Sequence, residues 1–353
     1  MQIGSKGRDI GIRAFKDGKA GRITLDRPAA FHALDRRMCD AITNALIDWM
    51  NDDQVEFVLI DHREGTRGFC AGGDIAMLSE SGRSDARQAQ AFFKAEYRLN
   101  SLISSYPKPY IAVIDGVTMG GGVGLAVHGT YQIATDRTIF AMPETGIGLF
   151  PDVGGTWFLP RLQGELGTWL ALTGAKLKGS DVVSVGLATH YCASDQTRQL
   201  KRDLCKNGIR ILDEYTSEAK FSLAERLDEI DVLFAGDNAI AIRARLEKGS
   251  AWAKSQATKL KAKSPLSTKI ALRQLRTGRY LSSLEDALRI EYRIASRLVQ
   301  SRDFHEGVRA CIIDKDFYPR WMSPSLSMAI GDEVAKYFTP LKSGELQFPE
   351  TCQ

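Results

Sequence analysis

Tyr110-Ile111-Ala112-Val113-Ile114-Asp115-Gly116-Val117-Thr118-Met119-Gly120-Gly121-Gly122-Val123-Gly124 is the stretch whose reading decides the fold. The apolar run after Pro107 and Pro109 reads as a buried strand, and Gly120-Gly121-Gly122 opens the helix that follows it. The same alternation recurs on both sides. Gly21–Asp26 alternates like a strand before Arg27-Pro28, Val55–Ile60 is a near-continuous apolar strand closed by the Glu64-Gly65 turn, and Thr138–Met142 is a short strand before Pro143. Between them, Asp35 is placed to cap a helix whose apolar face is Met38, Ile42, Ala45, Leu46 and Trp49. A long amphipathic stretch from Asp85 to Ser105 reads as a second helix, stopped by the two prolines. Strands alternating with helices imply crossover units and a largely parallel sheet covered on both faces, an α/β fold. After about residue 215 strand signals become rare, and helical patterns rich in Ala, Leu, Lys and Arg run to about residue 315. The expected organisation is a core over 1–215 and a helical C-terminal region over 216–353.

At 353 residues the chain allows about two domains, or one large domain with an extension. Its 44% hydrophobic and 25% charged residues are ordinary for a globular protein that can enclose a substrate pocket. A net charge of +4, from 47 basic and 43 acidic residues, is too small to announce a nucleic-acid binder. The six cysteines, Cys39, Cys70, Cys192, Cys205, Cys311 and Cys352, form no Cys-x-x-Cys pair, which points to reduced thiols rather than a disulfide framework or a zinc site. Residues 1–19 hold no apolar core of a secretory signal, and the most apolar run, Tyr110–Ala134, is broken by Asp115, His128 and glycines. A cytosolic protein is expected, or a mitochondrial matrix protein if a transit peptide has been removed, with no membrane partner. No internal repeat and no low-complexity tract is visible.

Three segments could carry chemistry: Gly68–Ile75, Asp115–Gly124 and Phe140–Gly155. Glycine-rich strand-to-helix junctions let backbone N–H groups face a ligand, and two of them can share one carbonyl oxygen. Such donors stabilise a tetrahedral intermediate or an enolate, each worth about 3–4 kcal/mol. The competing reading is that these glycines only permit tight turns and close helix–sheet packing. Neither junction fits a dinucleotide fingerprint or a Walker loop. Glu144 and Asp152 lie eight residues apart among Gly, Pro and apolar residues, where carboxyl groups acquire raised pKa values suited to acid–base work. The bland alternative is a pair of capping or turn residues. His128, in an apolar helix pattern, reads as a hydrogen-bonded core residue, and Cys70, with no base identifiable, as a small buried thiol. No Gly-x-Ser-x-Gly elbow supplies a serine nucleophile. Between Lys248 and Leu284 nine Lys or Arg residues occur with no Asp or Glu, either a solvated helical face or an attraction for a polyanionic substrate.

Taken together, the three segments resemble the enoyl-CoA hydratase/isomerase (crotonase) superfamily, most closely its 3-hydroxyisobutyryl-CoA hydrolase branch. The similarity starts at Gly21-Arg22-Ile23-Thr24-Leu25-Asp26-Arg27-Pro28 and runs to Asp303–Ala310 and Ile313–Asp316. Met119–Leu125 and Pro143–Gly155 look like signatures of the hydrolase branch. The resemblance implies a crotonase-like spiral of stacked ββα units with a helical C-terminal region. It makes the N–H groups of Gly73 and Gly121 the oxyanion hole for an acyl-CoA thioester. Glu144 matches one of two glutamates carried by the hydratases. The other falls at Gly124, which has no acid, while Asp152 stands where hydratases have glycine. Glu144 and Asp152 are therefore the implied catalytic residues, and Glu96, Gly121, Glu144 and Asp152 the substrate-binding ones. The implied activity is hydrolysis of a short β-hydroxyacyl-CoA, 3-hydroxyisobutyryl-CoA of valine breakdown. Coenzyme A would then be part of the substrate, with no further cofactor and no metal. Its rivals are an enoyl-CoA hydratase or isomerase on the same fold and a non-catalytic acyl-CoA-binding protein. Trimers and hexamers are common in the superfamily, so a homo-oligomer is possible, although the longer C-terminal region could change that. The position after Ile75, often Lys or Arg in relatives, is Ala76, so contacts to the CoA phosphates would come from elsewhere, the basic run being the candidate.

Overall fold

Alternating apolar runs become nine short strands in a computed structural model that describes residues 10–328 and 331–349; Cys352 lies outside them. They are β1 (Ile12–Asp17), β2 (Ala20–Leu25), β3 (Phe57–His62), β4 (Tyr110–Ile114), β5 (Val117–Met119), β6 (Tyr131–Thr135), β7 (Ile139–Ala141), β8 (Leu177–Lys178) and β9 (His190–Cys192). The main sheet has the order β1-β2-β3-β4-β6-β9. Its first pair is an antiparallel hairpin, with Ile12 opposite Leu25, and every later pairing is parallel. All residues of β3 and β4 are buried, as expected of strands covered on both faces. One face packs Phe57, Leu59, Ile111, Val113 and Ile133 against Leu200 and Leu204 of the helix Thr197–Asn207.

The first helices follow the expected capping and periodicity. In α1 (Arg36–Met50) the Asp35 carboxylate accepts the Met38 N–H at 2.9 Å, and Met38, Ile42, Ala45, Leu46 and Trp49 are all buried. Two more follow, α2 (Ile75–Gly82) and α3 (Arg87–Ser104). The glycine run opens α4 (Gly121–Val127), with Gly120 at φ 49° and ψ −122°, a conformation that strains a residue bearing Cβ. His128 is the C-cap of α4 rather than a residue inside it. The expected strand at Thr138–Met142 appears as β7, but it pairs with β5 and β8 in a second sheet that was not expected, because β5 and β8 span only three and two residues and show no period. The five described cysteines form no disulfide.

The described chain separates into two units. Among the described residues, the first comprises 10–73, 98–141 and 176–222 and holds every strand; the second comprises 74–97, 142–175, 223–328 and 331–349 and is helical. In the second unit the helix Leu166–Thr173 is wholly buried, and its Trp169 indole donates to Gln256 of the helix Ala251–Lys261 at 3.0 Å. The basic run divides by location. Arg276 and Arg279 both pair with buried Glu165 at 2.8 Å, and the Arg273 guanidinium sits 4.7 Å from the centre of the Phe338 ring. Lys248, Lys254, Lys259 and Lys261 remain on the exposed helical face.

Candidate active site

Within the first unit, the backbone brings the two glycine junctions side by side. Cys70 N–H donates to Val117 O at 3.0 Å and Met119 N–H to Cys70 O at 2.9 Å, so residues 70–72 run parallel to β5. A Cβ on Gly72, which has φ 115°, would lie 3.5 Å from Met119 O and 3.7 Å from Gly121 N. A Cβ on Gly122 would lie only 2.4 Å from Cys70 O, so that glycine is required for the close approach. Neither Gly73 nor Gly121 uses its N–H in a hydrogen bond among the described residues. Close packing accounts for Gly122, while the N–H groups of Gly73 and Gly121 are left without an acceptor among the described residues. The Cys70 thiol is fully buried against His32 O at 3.2 Å, a packing role.

Within the second unit, four acids converge. Glu144 opens the single turn Glu144–Ile147, which ends at Gly148 in the left-handed region. A Cβ on Gly148 would meet Asp303 O at 2.4 Å, and one on Gly307 would meet the Ile147 carbonyl carbon at 2.4 Å, so the helix Arg302–Val308 packs directly on this turn. Thr145 O accepts the Ser264 N–H at 3.0 Å, tying the turn to the start of the helix Pro265–Gly278. Glu144 is 6% exposed and its Oε2 has no hydrogen-bond partner among the described residues. Burial, and then the charge of Asp152, hold its carboxyl well above the ordinary range, against the attraction of Lys263.

Asp152 lies on a strained loop. Val153 at φ 50° and Gly154 at φ 88° are both left-handed, which a β-branched valine resists. The helical region clamps this loop from two sides. Gln274 donates to Pro151 O, and the Glu291 carboxylate accepts the N–H groups of Gly154 and Thr156, each at 2.8 Å. Tyr97, fully buried on α3, donates its O–H to Asp152 Oδ2 at 2.7 Å. Burial lifts the Asp152 pKa to about 6, with the Tyr97 hydrogen bond pulling the other way. Glu291, completely buried, is pushed to about 8 by burial and then by the charge of Asp152.

Glu96 precedes Tyr97 on the same helix and is 2% exposed, so it is not a surface residue. Burial, followed by the charges of Asp152, Glu291 and Glu144, holds it well above the ordinary carboxylate range, and its Oε1 has no partner among the described residues. Such a cluster cannot ionise completely at neutral pH; it stores protons and can exchange them. No three of the described His, Cys, Asp or Glu side chains are arranged to hold a metal ion.

The structure thus places Glu96, Glu144 and Asp152 in one cluster, and Gly73 and Gly121 at one pair of junctions. Sequence reasoning missed Tyr97 and Glu291. The signal for Glu291 was present: it falls on the stripe Leu284, Ala287, Leu288, Glu291, Tyr292, Ala295 and Leu298, all buried, where a lone acid is out of place.

The family model described as Enoyl-CoA hydratase/isomerase matches residues 20–338. The Danio rerio protein named 3-hydroxyisobutyryl-CoA hydrolase, mitochondrial, is 45% identical over 346 residues, covering 94% of this chain and 90% of that protein. Two solved structures are similar along nearly their whole length. One is titled a carnitinyl-CoA dehydratase from Mycobacterium thermoresistibile, with 38% identity, TM-score 0.93, and 96% and 99% of the two chains covered. The other is titled an enoyl-CoA hydratase from Rhodobacter sphaeroides 2.4.1, with 40% identity, TM-score 0.90, and 96% and 100% covered. Sequence and structure agree on the crotonase-like α/β fold that the motifs implied, and the chain belongs to the enoyl-CoA hydratase/isomerase family.

Proposed function

We propose that the protein hydrolyses 3-hydroxyisobutyryl-CoA to 3-hydroxyisobutyrate and free CoA, a step of valine breakdown. The observation that carries this reading is the buried pair Glu144 and Asp152 in a chain whose α4 has glycine at 124. It agrees with the hydrolase name shared by relatives 41–45% identical to the chain.

In this reading the N–H groups of Gly73 and Gly121 take the thioester oxygen as it gains negative charge. Glu144 delivers the attack on the carbonyl carbon, either directly as a carboxylate nucleophile or by taking a proton from water. Direct attack gives a mixed anhydride and expels CoA as the thiolate, after which water opens the anhydride; the water route expels the thiolate in one acyl transfer. Both routes need a proton donor for the departing sulfur and a group to hold the substrate's 3-hydroxyl. Asp152, with a pKa near 6 and Tyr97 fixing one of its oxygens, suits these tasks at neutral pH. Glu96 supplies a further buried carboxyl for the hydroxyacyl group. Coenzyme A enters and leaves as part of the substrate and product.

The names of the two structural relatives, a dehydratase and a hydratase, favour a second reading, reversible addition or removal of water at a carbon–carbon double bond. It lacks the second acid, since Gly124 is buried in α4 without a side chain. The test is thiol release measured beside double-bond loss across 3-hydroxyisobutyryl-CoA, 3-hydroxybutyryl-CoA and crotonyl-CoA. Fast thiol release from the first is expected. Rapid hydration of crotonyl-CoA with negligible thiol release overturns the hydrolase reading.

A further inference from the structure

The second unit contains an arginine-rich cavity that the proposed chemistry does not use. The helix Arg302–Val308 packs one side against the turn that carries Glu144, through Gly307 and Ile147. Elsewhere it meets α2, where Ser79 Oγ and His305 Nδ1 are 3.3 Å apart. Beside these contacts opens a cavity of about 850 Å³, lined by Arg83, Arg302, Arg309 and Arg320 against only two acids, Glu306 and Asp316. Arg309 is fully engaged, on Glu306 at 2.8 Å and on Asp314 and Asp316 at 2.6 Å each. The side chains of Arg83, Arg302 and Arg320 donate to no group among the described residues. Among the described residues, Arg83 and Arg302 face the cavity without an ion-pair partner and Arg320 makes no ion pair, its charge felt by Asp316. Guanidinium forks so placed suit phosphate oxygens, which they can bind in bidentate fashion. On the same cavity wall stands Tyr318, 81% exposed, a flat ring of the kind on which a nucleobase stacks. The volume matches a nucleotide-sized ligand.

We propose that this cavity binds a nucleoside phosphate, with Arg83, Arg302 and Arg320 on the phosphates and Tyr318 against the base. Two sources share that chemistry: the nucleotide end of the acyl-CoA substrate, and a free nucleotide that would act as an effector. The first source rests on the thioesterase reading; binding itself does not. It would also answer the loss of a basic residue at Ala76, a demand that Arg276 and Arg279 cannot meet while they pair with Glu165.

The test is calorimetric titration of the whole chain with adenosine 3′,5′-bisphosphate, for wild type and for Arg83→Ser, Arg302→Ser and Tyr318→Ala. All three positions are exposed, so folding is not at risk, and circular dichroism checks it. Saturable binding is expected in the wild type, weakened about tenfold or more by either arginine change and several-fold by Tyr318→Ala. Displacement by acyl-CoA, with a fall in the ratio of kcat/KM for acyl-CoA to that for acyl-pantetheine, assigns the site to the substrate's nucleotide. Binding that acyl-CoA does not displace assigns it to a free nucleotide. Absence of saturable binding, or binding that survives the arginine changes or Tyr318→Ala undiminished, overturns the proposal. Thiol release is scored separately, so a failed thioesterase reading is distinguishable from a failed nucleotide site.

Discussion

Replacing Glu291 by Gln tests whether burial or hydrogen bonding governs the acid cluster. The Glu291 carboxylate accepts two backbone N–H bonds of 2.8 Å, which favour its charged form. Complete burial and the nearby charge of Asp152 favour the neutral form, and the balance raises its pKa from an ordinary 4.5 to about 8. The folded protein therefore keeps a proton that the unfolded chain releases above about pH 4.5, and stability falls as pH rises until both states are ionised above about pH 8. One retained proton corresponds to about 1.4 kcal/mol per pH unit, so this residue alone removes roughly 2.5 kcal/mol of stability between about pH 5 and about pH 7. Glutamine keeps one acceptor but turns an NH₂ toward the other N–H, a loss of about 1–3 kcal/mol that does not depend on pH. The slope, not the absolute stability, is thus the readout. Urea unfolding followed by tryptophan fluorescence at several pH values between 5 and 8 measures it. Glu291→Gln should flatten the decline by roughly the stated amount. A variant with the wild-type slope would refute the argument, because it would mean that the two N–H bonds outweigh burial.

Three further outcomes follow from the same geometry. Glu144→Gln should lower thiol release by roughly 10²–10⁴-fold while acyl-CoA still binds; near-wild-type kcat in a folded variant removes Glu144 from the chemistry. Tyr97→Phe deletes the hydrogen bond that favours ionised Asp152, so the Asp152 pKa should rise above its present value of about 6 and the acidic limb of the pH–rate profile should move upward; a limb that stays put detaches Asp152 from the profile. Gly122→Ala drives a Cβ to within 2.4 Å of the Cys70 carbonyl, and the overpacking should cost about 1–3 kcal/mol and misplace the Gly73 and Gly121 donors; a variant as stable and active as wild type contradicts the close packing.

Local pattern alone determined much of this protein. The alternation of strand and helix signals to residue 215 predicts an α/β fold, Asp35 caps its helix as its spacing requires, and the strings around Gly121 and Glu144 point to the family. These features are legible because a strand's period, a cap and a glycine junction are each set within a few residues. Tertiary structure alone decided which acids meet. Glu291 reaches the Asp152 loop from 137 residues away in sequence, and Tyr97 reaches Asp152 from 55, so neither partnership leaves a trace in local spacing. The small β5-β7-β8 sheet was hidden in part for the same reason: the strand at Thr138–Met142 was legible, but its partners β5 and β8 span only three and two residues and show no periodicity. The basic run was hidden differently: its composition is plain, but whether an arginine faces solvent, Glu165 or Phe338 depends on helices brought together from distant parts of the chain. Proton affinity is decided at that level too. A glutamate's chemistry is written in its side chain, but its pKa is set by the water excluded and the charges gathered around it when the chain packs.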